Sequence, residues 1–444
     1  MTALPQSASA PTDPDAPPQT PTRDPSPWMF LLSVALIALL AELAYGVINN
    51  STLPVYVKYG LGLPKWVGTS VAAFLLAETL LTGPTGLLAD RIGRRALMVG
   101  GPLISVCTTV ALTLLQIPAN GIGHVLGIAA LLTLRFLDGA GAAALWPAVF
   151  ASIGDRVAPE KQASAMSVLN VSYMIGVAAG PLLGGILEDH YAHKLGLDMY
   201  DASRYMPSLF AAAGAFFLTG LIGFIAAPGR GFRRAAASSD GGTTSHAGEG
   251  APVTIAAIID ALRQIPMLIL LVFVLFFGIG LIAPNVKLYA LEHLHVTPTG
   301  FAFLLLKPAL VVGVLAIPLG RLGDVWGRVV AIRAGCGVAA VSLWLILLFE
   351  SPTALVVIGC LLGVGFILAF PAYLALISTI GGDSARGSVI GAVKTFQGVG
   401  MLIGAVIGSP LYQKAPLSPF ILAAILLTTG FIISLVAVRE PKRA

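Results

Sequence analysis

Runs of apolar residues dominate the chain. Each is about 18 residues or longer, enough to cross a ~30 Å hydrocarbon layer as an α-helix. They fall at approximately 28–50, 66–89, 96–117, 122–150, 163–187, 205–228, 265–290, 299–320, 329–349, 353–379, 386–412 and 417–438, separated by short breaks carrying Gly, Pro or charge. The pattern predicts an all-α membrane protein of twelve transmembrane helices. Ahead of the first run, residues 1–27 are rich in Pro, Ala, Ser, Thr and Asp and lack the basic-then-apolar layout of a signal peptide, so they read as a disordered tail. A Gly-, Ser-, Thr- and Arg-containing stretch from Gly229 divides the runs six and six. The organisation expected is therefore a bundle over 28–228, a linker over 229–264, a second bundle over 265–438 and a short tail over 439–444. Within the linker, Ile255, Ile258, Ile259 and Leu262 repeat at helical spacing opposite Asp260, Arg263 and Gln264, which predicts a short helix along the membrane surface.

Composition strengthens this picture. Of 444 residues, 57% are hydrophobic and only 11% charged, against roughly 25% charged in an ordinary soluble domain. The mean hydropathy is +0.89, and lipid is the expected solvent for most of the chain. Fifty glycines and thirty prolines fit membrane spans, where small residues let helices approach closely and prolines are tolerated. Cys107, Cys336 and Cys360 lie in apolar runs without metal-type spacing and read as small core residues. The cluster Glu188, Asp189, His190 and His193 reads as a solvated external loop rather than a metal site. Asn50-Ser51-Thr52 matches a glycosylation acceptor only incidentally, at the end of a span. A net charge of +5 makes no nucleic-acid-type patch. Most Lys and Arg fall in loops on one side, including Arg91, Arg94, Arg95, Arg156, Arg321, Arg328 and Arg386, while Lys58, Lys65, Lys194, Arg204 and Lys414 fall on the other. By the positive-inside rule both termini are expected in the cytoplasm.

The two halves also repeat each other. Gly86, Asp90, Gly93 and Arg94 recur in the same order and spacing as Gly320, Asp324, Gly327 and Arg328. Gly139, Gly141, Pro147, Gly176 and Gly180 recur, at one constant and slightly shorter offset, as Gly363, Gly365, Pro371, Gly400 and Gly404. Parallel six-helix repeats put a binding site at their interface, and rocking of one half on the other exposes it alternately.

Three motifs carry the mechanistic reading. The loop Gly86-Leu87-Leu88-Ala89-Asp90-Arg91-Ile92-Gly93-Arg94-Arg95 between spans two and three resembles the loop signature of the major facilitator superfamily, with a partial copy at Gly320–Arg328. Its glycines permit a tight turn, and Asp90 and Asp324 can accept from the next helix's N-terminus or from arginines, a candidate conformational latch comprising Gly86, Asp90, Arg91, Gly93, Arg94, Asp324, Gly327 and Arg328. In span four, Arg135-Phe136-Leu137-Asp138-Gly139-Ala140-Gly141 looks like that superfamily's arginine motif, and the resemblance implicates Arg135 in proton coupling; an i,i+3 ion pair with Asp138 is the structural alternative. In span five, Gly176-Val177-Ala178-Ala179-Gly180-Pro181-Leu182-Leu183-Gly184-Gly185 matches the glycine-proline motif typical of the drug:proton antiporters in the superfamily. Glycines four apart make a smooth packing face and Pro181 removes a backbone donor, so Gly176, Gly180, Pro181, Gly184 and Gly185 are the candidate gate hinge.

Two carboxyls remain deep in apolar runs, Glu42 in span one and Glu78 in span two. Water-free surroundings favour the neutral acid, which can load and release a proton as access alternates. Each also has a purely structural reading as a hydrogen-bonded group. Glu42, Asn49 and Asn50 would make a polar stripe, and Asn49, Asn50, Asn170, Tyr173, Lys307, Lys394 and Gln397 are candidates for the substrate cavity. Snorkelling to the membrane edge is the alternative for Lys307.

The resemblance covers residues ~28 to 438 and implies a monomeric two-bundle fold working by proton-driven alternating access. No phosphate-cradling loop ending in Lys and Ser or Thr is present, so an ion gradient is the expected energy source, and the chain is expected to be a carrier rather than an enzyme, without cofactor or metal. The leading expectation is an inner-membrane antiporter exporting amphiphilic small molecules or drugs in exchange for protons. The alternative is a proton-linked importer or exchanger of a small organic anion, which would use Lys307 and Lys394. A non-transporting sensor on the same fold would have no need of the intramembrane acids.

Overall fold

The computed structural model of the chain describes residues 27–226, 265–380 and 382–438. Among these, twelve helices are long and apolar enough to cross a membrane, one at each predicted run. In order they are α1 (Trp28–Gly60), α2 (Val67–Ile92), α3 (Arg94–Thr113), α4 (Gly121–Arg156), α5 (Pro159–Leu195), α6 (Met206–Ala226), α7 (Pro266–Glu292), α8 (Pro298–Trp326), α9 (Arg328–Trp344), α10 (Pro352–Ile380), α11 (Gly382–Lys414) and α12 (Ser418–Ala437). Helix is the only way a single segment satisfies its backbone polar groups in hydrocarbon. The linker, its expected surface helix and both tails lie outside the described residues, as do the side chains of Arg321 and Asp324.

Large apolar side chains are exposed along the helices. Phe217, Ile225, Val341 and Val436 are each more than half exposed, which lipid accommodates and water would not. Inside, Tyr56, Phe216, Tyr289 and Phe420 are wholly buried.

Two helices depart from regular α geometry. α1 turns π-helical over Gly46–Thr52 and again over Tyr56–Gly60, and such widened turns concentrate at functional sites. α7 breaks between Pro266–Ile282 and Val286–Glu292, where Pro284 cannot donate a backbone hydrogen bond.

The internal repeat is carried by glycine contacts. A Cβ on Gly176 would lie 2.6 Å from Leu39 O, and on Gly400 2.6 Å from Phe273 O. Gly180 lies against Gly46 and Gly404 against Gly280; Gly184 meets Ser51 and Gly408 meets Asn285; Gly101 meets Gly141 and Gly335 meets Gly365. In every case the second pair occupies the positions that the sequence repeat assigns to the first, with α7, α9, α10 and α11 standing for α1, α3, α4 and α5. The α2–α3 and α8–α9 turns repeat as well: Gly93 has φ 96° and Gly327 φ 89°, a conformation that side chains resist. The fold is thus two pseudo-symmetric six-helix bundles, packed on each other through α2 with α11 and α5 with α8.

Candidate functional site

Three polar clusters stand out among the described residues, two within the apolar packing and one exposed at an end. The first lies inside the N-terminal half. Glu42, Tyr45 and Asn49 sit three and four residues apart on α1 and so share one face. Glu42 is only 8% exposed, with the Tyr173 hydroxyl of α5 beside its carboxyl and Glu78 of α2 close enough for the two acids to interact. Along the same face, the buried Arg135 guanidinium donates to Asp138 and to the Asn49 side-chain oxygen, and stands over the Phe74 ring at 5.0 Å. Tyr45 shares a hydrogen bond of 3.1 Å with Ser105, next to Asp138. Arg135 Nε, Asp138 Oδ1 and Thr109 Oγ1 have no protein partner among the described residues, and all three residues line a cavity of about 10 Å³, the size of one water. The ion pair read as the structural alternative for Arg135 is therefore formed, and Asn49, a candidate for the substrate cavity, joins this network.

The second cluster seals the two halves together at the end where α1 runs into α2. Lys287 of α7, 1% exposed, donates to Glu188 Oε2 of α5 at 2.8 Å and to Ser51 O at 2.9 Å. Glu188 also accepts from the Thr52 hydroxyl at 2.9 Å. Nearby, Lys58 and Tyr59 donate to Glu292, which accepts from Tyr412 at 2.9 Å. Asp189 takes the Thr299 N–H in the first turn of α8 at 2.8 Å, Gly185 lies against Pro298 O, and the Gly68 N–H donates to Ser409 at 2.8 Å. Glu188 corrects the expectation of a solvated loop, because α5 continues to Leu195 and Glu188 is wholly buried. A signal was available: Glu188 continues the four-residue spacing of Gly176, Gly180 and Gly184, the face that packs on α1.

The third cluster lies at the opposite end. Asp90 accepts from Arg94 at 2.8 Å, and Arg94 also donates to Asp155 at 3.1 Å. In the second half Arg328 donates to Ala375 O of α10 at 3.2 Å. The remaining candidates are less engaged. Asn50, Asn170, Lys307 and Lys394 are exposed and Gln397 is partly buried. Among the described residues no ion pair joins Lys307 or Lys394 to Glu42 or Glu78. α5 passes through Pro181 as one continuous helix.

This architecture has known counterparts. The family model of the Major Facilitator Superfamily matches residues 32–267 and 268–444. The chain belongs to this superfamily. It is accordingly a multi-pass membrane transporter of small molecules. Inner membrane transport protein YajR of Escherichia coli (strain K12) is 33% identical over 167 residues, 36% of this chain and 32% of that protein. That alignment thus spans about a third of the relative's length. Multidrug resistance protein 1 of Bacillus subtilis (strain 168) is 28% identical over 370 residues, covering 83% of this chain and 86% of that one. Among solved structures, the nucleoside transporter NupG superposes with a TM-score of 0.70 at 10% identity, covering 92% of this chain and 98% of that one, a likeness of fold.

Proposed function

We propose that this transporter exports amphiphilic small molecules in exchange for protons, by alternating access, as a monomer in the inner membrane with both termini cytoplasmic. The observation that carries the reading is Glu42, a nearly buried acid beside Tyr173 and Glu78 on the helix that also holds Asn49 against Arg135. A carboxylate there is costly to keep charged and a neutral acid is not, so proton loading and release change the energy of the N-terminal core. The same helix reaches the seal, since Ser51, two residues past Asn49, contacts Glu188 and Lys287. A shift of α1 on protonation is thereby transmitted to the contacts that hold the halves together. Gly176, Gly180 and Gly184 leave α1 a smooth surface on α5 to move along. In this scheme Gly86, Asp90, Arg91, Gly93 and Arg94, with Asp324, Gly327 and Arg328, latch the cytoplasmic end. Asn50, Asn170, Tyr173, Lys307, Lys394 and Gln397 face the substrate. One proton moving down 100 mV supplies about 2.3 kcal/mol, more than a tenfold gradient of a neutral substrate requires. Export rather than import draws support from the glycine-proline motif and from the relatives whose names are multidrug resistance proteins.

Efflux of a fluorescent cationic dye from cells making the protein tests the reading. Dye export that collapses with an uncoupler is expected, and Glu42→Gln is expected to lose gradient-driven export while still binding dye in detergent. Dye retention equal to that of cells lacking the protein would exclude export. Uptake of labelled carboxylates in place of dye export would favour the anion reading, which draws on Lys307 and Lys394.

A further inference from the structure

Inside the C-terminal half lies a cavity of about 380 Å³, within the range of small-molecule sites. Its walls come from α7, α9 and α10, with Leu427 of α12, and include Leu275, Ile279, Ala339, Leu362 and Phe366. Two polar side chains reach it, and neither offers a free hydrogen-bonding group. The Tyr373 hydroxyl donates to Leu268 O at 2.7 Å, and the Cys336 thiol lies against Ser434. Phe366 lines the cavity, is 47% exposed and stacks on Phe370 at 4.9 Å.

The origin of the space can be traced. It occupies the place that the polar network fills in the other half. In the register of the internal repeat, Tyr45, Asn49 and Ser105 correspond to Ile279, Ala283 and Ala339, and Arg135 and Asp138 to Gly359 and Leu362. Losing the Tyr and Asn side chains, at the lining residues Ile279 and Ala283, opens a volume without leaving a group to hydrogen-bond a water, and apolar cavities of this kind take apolar guests.

We infer that this cavity is a binding site for a hydrocarbon chain, entering past Phe366. The chain belongs either to a bilayer lipid or to the apolar part of a transported amphiphile; in the second case the inference rests on the export reading and adds a subsite to it. Dispersion contacts with aliphatic and aromatic walls would hold it, and no charged group of the guest could follow it inside.

Photolabelling of the full-length protein in nanodiscs tests this without requiring transport. One arm uses phosphatidylcholine with a diazirine in its acyl chain, the other a diazirine-bearing alkylammonium amphiphile. Labelled peptides from Ile332–Leu343 or Leu362–Tyr373 are expected in at least one arm, with about a tenfold loss in Ala339→Phe and in Leu362→Trp, two independent fillings of the space. Leu221→Trp, on the exposed face of α6, is expected to leave the labelling unchanged. Labelling in the lipid arm alone identifies a lipid chain, and labelling in the amphiphile arm identifies the apolar part of an amphiphile as the occupant. Labelling at those peptides no stronger than at α6 overturns the inference, as does labelling that both filling variants leave intact while eluting as folded, monodisperse protein. Loss of dye export with labelling retained would count against the export reading alone.

Discussion

The interior of the N-terminal half holds Tyr45, Asn49, Ser105, Arg135 and Asp138 around a void of about 10 Å³; the matching interior of the C-terminal half holds Ile279, Ala283, Ala339 and Leu362 around one of about 380 Å³. Backbone packing does not separate the two, because the glycine contacts of α1 on α5 and of α3 on α4 recur in α7 on α11 and α9 on α10. What differs is the side chains that the shared frame encloses. One half keeps charge and fills its volume; the other gives up both. The frame and its filling are therefore separable, and each can be changed while the other is held.

The largest effect is expected from breaking the charged side of this comparison. Arg135→Met leaves Asp138 buried without its partner and is expected to cost about 3–5 kcal/mol of stability and to abolish gradient-driven flux. Arg135→Gly with Asp138→Leu installs the residues of the other half and removes both charges together. Thermal unfolding in detergent should find the double variant more stable than Arg135→Met, though equally inactive; the reverse order would mean that the space left by Gly and Leu costs more than an unpaired Asp138. Next comes the converse change. Leu362→Asp puts a lone carboxyl into the apolar cavity without the arginine that Asp138 has, and about 2–4 kcal/mol of lost stability is expected in the same assay. An unchanged melting temperature would mean that water already fills that space.

Smaller effects should be shared by the halves. Gly180→Ala would put a Cβ 2.7 Å from Gly46 Cα, and Gly404→Ala one 2.3 Å from Phe277 O. Each is expected to cost about 1–3 kcal/mol through overpacking, and a large loss in only one of them would show that the frame is not equivalent. Smallest is Asp90→Asn, whose carboxylate is 45% exposed. Less than about 1 kcal/mol of stability is expected to go with its ion pair to Arg94, so any marked fall in transport by this variant, read as initial rates in proteoliposomes, would reflect the conformational cycle rather than folding.

The twelve helices and the repeat were legible because lipid forces each crossing segment to be long, apolar and helical, and because glycine marks close backbone approach whatever surrounds it. Within the site, Glu42, Glu78, Arg135 and Asp138 stood out as ionisable residues in apolar runs. Asn49 did not, since spacing placed it on the face of Glu42 but could not say that Arg135, far along the chain on α4, would reach it. Glu188 was obscured by its polar neighbours Asp189, His190 and His193, which suggest a loop although the helix runs on beneath them. The C-terminal cavity shows in the sequence only once the two halves are laid in register, where Ile279 and Ala283 stand for Tyr45 and Asn49. An empty volume arises from what three helices fail to supply jointly, and each of its residues alone is an ordinary apolar one.

The ion pair between Lys287 and Glu188 has one more implication. With side chains 1% and 0% exposed, it lies beyond the reach of mobile counterions, which weaken only attractions that they can surround. This contact of the closed end should therefore grip as firmly in brine as in dilute medium, and a cell whose surroundings change in salinity would keep that contact's share of the threshold for opening.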